Sequence, residues 1–310
     1  MKIGAVIVTY NRMELLKKTL ISLCNQSTKL SGILVFDNFS SDNTYNYLVD
    51  MQYTNCSEYE TLTNKEWNGL TAYYYRNGTN EGGAGGFSKG MKLAVNLGWD
   101  YIWIMDDDVN PEEDCLEKLI KAQDAEHMIT IPCRTDGNNQ DFAYIGIDMS
   151  NPFKISWSKT CKSIASQKIE KYEDVVTMPF EGPLINVKLI NKIGFPCKDF
   201  FIFFDDIDYA MRAIKETKIR YVKHAILHRM NVGMNAFVPW RAYYMYRNNI
   251  YLYRLHGKNW TVRNIKPILY FIKIFGGLFI HKRVKYTRLV IDAFTDGYTG
   301  RLGKRDFQYK

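Results

Sequence analysis

One unit repeats through the first 130 residues: a short run of apolar, β-branched residues followed by an amphipathic stretch of helical period. That order is the signature of a mostly parallel sheet with helices on its faces. Ile3–Val8 reads as a buried strand, and Arg12–Asn25 as a helix with Leu15, Leu16, Thr19, Leu20 and Leu23 on one side. Ile33–Phe36, Leu70–Tyr75 and Tyr101–Met105 read as the next three strands. Oxygen atoms of Ser40-Ser41-Asp42 can cap the helix after the second strand, and Pro111, followed by Glu112, Glu113 and Asp114, sits where another helix would begin. In open α/β sheets the ligand crevice lies beyond the carboxyl ends of the strands. Tyr10-Asn11-Arg12, Asp37-Asn38, the glycine-rich loop 77–86 and Asp106-Asp107-Asp108 all fall there, which predicts one shared cleft. Residues 130–180 mix short strands with a Lys/Ser-rich stretch at 154–171 that reads as an exposed hairpin or flexible loop.

A chain of 310 residues with 46% apolar and 24% charged residues has the balance of a globular protein, not of a disordered, collagen-like or polytopic membrane chain. Six cysteines show no pair at two-residue spacing, so no zinc or dithiol motif can be read from them; reduced thiols in a cytosolic setting are expected. The start lacks the long apolar stretch of a secretory signal, so export is not expected.

Charge divides sharply along the chain. Residues 241–310 hold 15 Lys and Arg against 3 Asp and Glu, whereas residues 1–240 hold 26 against 30. An acidic body with a basic tail suggests contact with a polyanion. Trp240–Leu255 and Ile265–Arg283 read as helices. Ile265–Ile280 is too short and too charged, at Lys266 and Lys273, to span a bilayer. Lys266 and Lys273 share a helical face, as in a segment lying on an acidic membrane surface. The alternatives are a basic tail packed on its own catalytic domain, or a nucleic-acid binder whose Tyr243, Tyr244, Tyr246, Tyr251 and Tyr253 stack bases. The acidic body argues against nucleic acid.

Four constellations could carry chemistry. In Asp106-Asp107-Asp108, strand alternation points the outer two carboxylates to one side, where they could hold a divalent ion; a solvated helix-capping turn is the plain alternative. Asp205-Asp206-Ile207-Asp208 follows an aromatic run. Asp208 can pair with Arg212 at i+4, while Asp205 and Asp206, if partly buried, would have raised pKa values and could accept a proton. His224 and His228 are spaced i, i+4, but no Glu adjoins them as a zinc site would need, and the local pattern reads better as a strand with His228 at its exit. The loop Asn77–Gly86 is neither a dinucleotide fingerprint nor a P-loop; its backbone N–H groups at a helix start suit an anionic or sugar ligand.

Taken in order, Val6–Arg12, Asp37-Asn38-x-Ser40-x-Asp42, Asn80-x-Gly82-Gly83-x-Gly85-Gly86, Asp106-Asp107-Asp108, Phe203-Phe204-Asp205-Asp206-x-Asp208-Tyr209-x-x-Arg212 and His228 resemble the family-two inverting glycosyltransferases of GT-A fold. Within that family the motifs look most like galactofuranosyltransferases and the neighbouring rhamnosyltransferases, although Asp205 stands where Glu is commoner and Phe204 where the galactofuranosyl branch tends to carry Trp. The resemblance implies a Rossmann-like sheet in a catalytic domain at 1–238, with a nucleotide-binding half at 1–110 and an acceptor-side half at 111–238, and a helical, membrane-apposed region at 239–310. Asp106, Asp108 and His228 would hold Mn²⁺ or Mg²⁺. Asp206 would be the general base, with Asp205 supporting it or orienting the acceptor. Thr9, Arg12 and Asp37 would hold the nucleotide, Asp37 accepting from the uracil N–H, and Asn80, Gly83, Gly85, Asp106 and Asp107 would line the rest of the donor site. The implied partners are a nucleotide-sugar donor, UDP-galactofuranose or else dTDP-rhamnose, a saccharide or polyprenyl-diphosphate-linked saccharide acceptor at the cytoplasmic membrane face, and further copies of this chain in a homo-oligomer. A non-catalytic GT-A-like binding module is the remaining alternative.

Overall fold

A computed structural model describes residues 1–136, 141–230 and 237–307. The expected units appear in order, with one strand, β3, that the sequence reading did not include: β1 (Ile3–Thr9), α1 (Met13–Cys24), β2 (Gly32–Asp37), α2 (Thr44–Asp50), β3 (Leu62–Trp67), β4 (Leu70–Arg76), α3 (Gly82–Asn96) and β5 (Tyr101–Asp106). Next come β6 (Val109–Pro111), α4 (Cys115–Lys121), β7 (Ile129–Thr135), β8 (Phe142–Ile147), α5 (Trp157–Thr160), β9 (Cys161–Ala165), β10 (Tyr172–Val175) and β11 (Leu184–Asn186). The chain continues through α6 (Val187–Ile193), α7 (Asp205–Ala213), β12 (Ile219–Arg229), α8 (Pro239–His256), α9 (Trp260–Ile280) and α10 (Thr287–Thr299).

The large sheet runs β10-β12-β7-β11-β5-β1-β2-β4-β3, with β6 on β12. Strands β5, β1, β2 and β4 are mutually parallel, and β11 joins them antiparallel to the parallel pair β7 and β12. Every residue of β1 and β2 is buried, because helices cover both faces. Alternation then sorts their side chains. Val6, Val8, Leu34 and Phe36 pack with Phe87 and Met91 on one face, while Ala5, Ile7, Ile33 and Val35 pack with Leu16, Leu20, Leu116 and Leu119 on the other.

Several local expectations are corrected by long-range pairing. Pro111 ends a strand instead of starting a helix: Val109–Pro111 pairs antiparallel with Leu227–Arg229, and the helix begins only at Cys115. The glycine-rich loop is shorter than it reads, since α3 already starts at Gly82. A Cβ at Gly82 (φ +73°) would lie 2.0 Å from the Phe201 carbonyl oxygen, and one at Gly86 would lie 2.5 Å from Val8 Cγ1, so these glycines serve close packing. The 154–171 stretch supplies α5 and β9, and β9 pairs with β8 in a separate two-stranded sheet. His228 does lie at the end of a strand, and all six cysteines are free thiols.

The basic tail folds as α8–α10 against the body. Tyr243, Tyr244 and Leu289 share an apolar cluster with Phe201 and Phe203, while Ile250 and Tyr253 share another with Phe204 and Ile207. Burial of Tyr243, Tyr244 and Tyr253 removes them as base-stacking platforms. Lys266 does not face a membrane: it is fully buried, donates to Thr160 Oγ1 at 3.2 Å and lies 4.3 Å from the Tyr253 ring centre. The outward side of this region is apolar instead, with Ile272, Phe279 and Ile280 exposed. Among the described residues, no helix is long and apolar enough to cross a membrane.

Candidate active site

A cleft of about 540 Å³ opens at the carboxyl ends of β1, β2 and β5, as the strand order requires. Thr9, Arg12, Asn38, Asn80, Gly83, Asp106 and Asp107 line it. Asn38 ties the loops together: its amide donates to Asn80 Oδ1 (3.2 Å) and the Gly82 carbonyl (3.0 Å), and Asn80 Oδ1 also accepts from Gly82 N at 2.8 Å.

Asp107 turns inward while Asp106 and Asp108 remain half-buried, yet Asp106 and Asp107 line the cleft and Asp108 does not, so the outer two do not share one side as strand alternation implied; the strand ends at Asp106 and residues 107–108 form a turn. Asp107 accepts from Thr9 Oγ1 at 2.7 Å and Arg12 Nη1 at 3.1 Å, and the same nitrogen reaches Asp108 Oδ2 at 2.8 Å. Burial raises the Asp107 pKa to about 6 even with Arg12 opposing it. Asp106 is pushed well above the usual carboxylate range by burial, then by the charges of Asp108, Glu181 and Asp107.

Asp205 and Asp206 open α7, where the helix dipole favours anions. Burial raises both pKa values, and for Asp205 the adjacent Asp206 adds to the rise. The loop before them holds Phe201, Phe203 and Phe204 at φ +64°, +66° and +67°. Such non-glycine conformations persist only when surroundings enforce them. Here α8 does so: Asn248 Nδ2 donates to the carbonyls of Phe200 (3.0 Å), Ile202 (2.7 Å) and Phe203 (3.0 Å), and Arg247 Nη2 donates to that of Phe200 at 2.8 Å. Asp208 takes the structural role, bonding Arg212 Nε at 3.1 Å and His256 Nε2 at 2.8 Å.

Glu181 is a further carboxylate whose charge is felt in this region. Its charge acts on Asp106 and Asp108 and also on Asp206, while Arg134 pairs with it at 2.8 Å and with Asp141 at 3.0 Å. Sequence reading missed Glu181 and Arg134. One signal was available: Glu181 is the sole charge in residues 175–187.

Six expected site residues lie outside the cleft lining, among them Asp205, which is buried, and Asp206, which is half-buried, at the start of α7. Asp37 is fully buried and spends its carboxylate internally, accepting from Ser40 N (2.8 Å) and Tyr74 Oη (3.0 Å) beside Arg76, so it does not line the cleft. Gly85 is buried in α3 against Glu81. Asp108 is held by Arg12 outside the cleft lining. His228 Nε2 turns to Glu112 Oε1 at 3.2 Å, although Met230, two residues on, donates its N–H to the Asp108 carbonyl at 2.8 Å. Among the described residues no three His, Cys, Asp or Glu side chains gather to hold a metal. Asp106 offers a hard carboxylate oxygen in the cleft lining, and Mg²⁺-type ions commonly take one or two carboxylates plus substrate phosphates.

A second cavity, of about 400 Å³, lies on the other side of the aromatic loop, lined by Trp157, Phe203, Phe204, Ile207, Tyr270 and Lys273. Trp157 meets Phe204 edge-on at 5.5 Å. The first cleft has a wall that sequence reading missed altogether: Trp240 and Arg241 from α8, and Lys304 from the segment after α10.

Comparison with known proteins agrees with this architecture. The chain is 24% identical over 214 residues to galactofuranosyltransferase GlfT1 of Mycolicibacterium smegmatis, covering 68% of this chain and 65% of that protein. It is 24% identical over 221 residues to GlfT1 of Mycobacterium tuberculosis, covering 68% and 64%. The chain thus spans just under two thirds of these relatives. The crystal structure of S. aureus TarS 1–349 superposes with a TM-score of 0.55 at 15% identity, covering 97% of this chain and 82% of that one. GalNAc-T7 with UDP, GalNAc and Mn²⁺ gives 0.61 at 13% identity, covering 97% and 56%. The mannosyltransferase PcManGT of Pyrobaculum calidifontis with GDP-Man and Mn²⁺ gives 0.57 at 11%, covering 97% and 88%. These structures share the GT-A-like fold. Since the model of the family described as glycosyl transferase family 2 matches residues 5–208, two thirds of the chain and both acidic motifs, this protein belongs to glycosyl transferase family 2.

Proposed function

We propose that this chain is an inverting glycosyltransferase that moves galactofuranose from UDP-galactofuranose to a saccharide acceptor, lipid-linked and met at a membrane surface. The observation that carries the reading is the cleft at the carboxyl ends of the strands, which sets Asp106 of the first acidic group in one lining with Phe201 and Ile202, the loop that leads into the second, Asp205 and Asp206. A donor in the 540 Å³ cleft would present its anomeric carbon between them, with the acceptor entering from the aromatic cavity beside Phe204. Asp206 takes the proton of the attacking acceptor hydroxyl, the new glycosidic bond forms opposite the departing nucleoside diphosphate, and configuration inverts. Its raised pKa suits a proton acceptor working near neutrality. Asp106 and Asp108 would hold Mn²⁺ or Mg²⁺, which when bound offsets charge on the leaving diphosphate.

The choice of sugar is supported by the GlfT1 relatives. Membrane apposition is supported by exposed Ile272, Phe279 and Ile280 beside Lys282, Arg283 and Lys285 at the turn between α9 and α10. The test is a panel of nucleotide sugars, including UDP-galactofuranose and dTDP-rhamnose, assayed with Mn²⁺, Mg²⁺ and chelator. Asp206→Asn should lower turnover by ~10² or more while leaving UDP affinity intact. Full turnover in that variant rejects the assigned base, and transfer from dTDP-rhamnose alone rejects the sugar.

A further inference from the structure

We infer that the region after residue 238 completes the donor site, with Arg241 and Lys304 forming a cationic wall that binds the diphosphate of a nucleoside diphosphate. The inference rests on the donor reading above and extends it to residues outside the family match at 5–208.

The cleft needs such a wall. Asp106 and Asp107 line one side, so a diphosphate placed there needs cations facing it from elsewhere in the lining. Arg12, the nearest cation in the motif region, is engaged by Asp107 and Asp108. Arg241 and Lys304 line the same cleft with exposed side chains. Arg241 lies 5.5 Å from the Phe203 ring centre, which positions its guanidinium at the loop carrying Asp205 and Asp206. A planar guanidinium can donate two bonds to neighbouring phosphate oxygens, and an ammonium adds a compact point charge.

The segment bearing Lys304 is tied down on both sides. Gly303 N donates to the Asp199 carbonyl at 2.6 Å, and the Gly303 carbonyl accepts from Arg247 Nη1 at 2.6 Å. Arg305 N donates to Tyr244 Oη at 2.8 Å, and the Arg305 side chain pairs with Asp292 and Asp296. Arg247, 1% exposed, also donates to the Phe200 carbonyl. One buried guanidinium thereby couples the tail to the loop that presents the proton acceptor, and Lys304 is held in place before any ligand arrives. Part of the tail's positive charge is thus directed into the cleft.

Calorimetric titration of UDP, dTDP and uridine into wild type, Arg241→Gln, Lys304→Gln and the double variant, with Mn²⁺ and with EDTA, tests this. Each substitution should weaken the better-bound nucleoside diphosphate about three- to tenfold, the scale for losing one charge-assisted bond at a solvated site. Uridine affinity and thermal midpoint should stay unchanged, and Lys304→Arg should restore most of the loss. Unchanged diphosphate affinity in the double variant overturns this inference alone. A loss equal to that of Lys285→Gln, a charge removed at the distant α9–α10 turn, overturns it as a net-charge effect. Wild type that binds neither diphosphate overturns the donor reading as well.

Discussion

Replacing Asn248 by Ala tests whether α8 places the proton acceptor. Asn248 is fully buried, and its single amide nitrogen serves three carbonyls of the loop Phe200–Phe203 at 2.7–3.0 Å. An amide has two N–H groups, so at least one of these bonds is shared. Truncation leaves about two buried carbonyls without a donor, at roughly 1–3 kcal/mol each. The three left-handed phenylalanines store strain of about 1–3 kcal/mol each, which drives the released loop toward ordinary φ values. Relaxation returns part of the loss, so urea unfolding should show a net destabilisation of about 2–4 kcal/mol. Because Asp205 follows Phe204 directly, the loop's new path displaces the α7 start; a shift of about 1 Å costs on the order of 10² in turnover. UDP affinity, read by calorimetry, should fall as well, since Phe201 and Ile202 of the released loop line the cleft although Asn248 itself does not. A variant that loses stability but keeps wild-type turnover refutes the reasoning: the loop would then hold its conformation without the clamp.

Other outcomes follow from single contacts. Gly86→Ala forces a methyl to 2.5 Å from Val8 Cγ1 and should cost about 1–3 kcal/mol of stability; Val8→Ala in the same chain should recover much of it, and additive losses would count against the contact. Burial lowers the Lys266 pKa to about 8, outweighing the pull of Asp148 and Cys161, with Lys154 adding to the depression. The unfolded chain then holds more protons than the folded one between that value and the ordinary lysine range, so stability rises with pH through this window. Lys266→Met should abolish that rise in the difference between the two unfolding curves; parallel curves would refute it. Phe279→Ser with Ile280→Ser should reduce retention on acidic liposomes at fixed salt, whereas retention equal to wild type would place the lipid contact elsewhere.

Much of this protein was legible without coordinates. The strands β1, β2 and β5 follow from their apolar runs, because a strand buried on both faces must be apolar throughout, and β4 from its β-branched and aromatic residues. The convergence of loops at their carboxyl ends follows from parallel topology alone. The acidic motifs were found for the same reason: carboxylates beside apolar runs are conspicuous in a linear reading. Lys266 was misread because helical periodicity gives the spacing of a face but not what packs on it, and Thr160 and Tyr253 enclose it. Pro111 was misread because its partner, Leu227, lies far along the chain.

The sequence by itself determined the family, the parallel half of the sheet and the two acidic groups, since each is written in neighbouring residues whose chemistry shows locally. Only the tertiary structure decided that Asp37 is spent on Ser40 and Tyr74, that Arg134 pairs with both Asp141 and Glu181, and that Arg241 and Lys304 of the basic tail line the cleft at the strand ends. Those facts depend on pairings such as Gly303 with Asp199 and Arg247, set by packing between distant segments, and local periodicity carries no record of them.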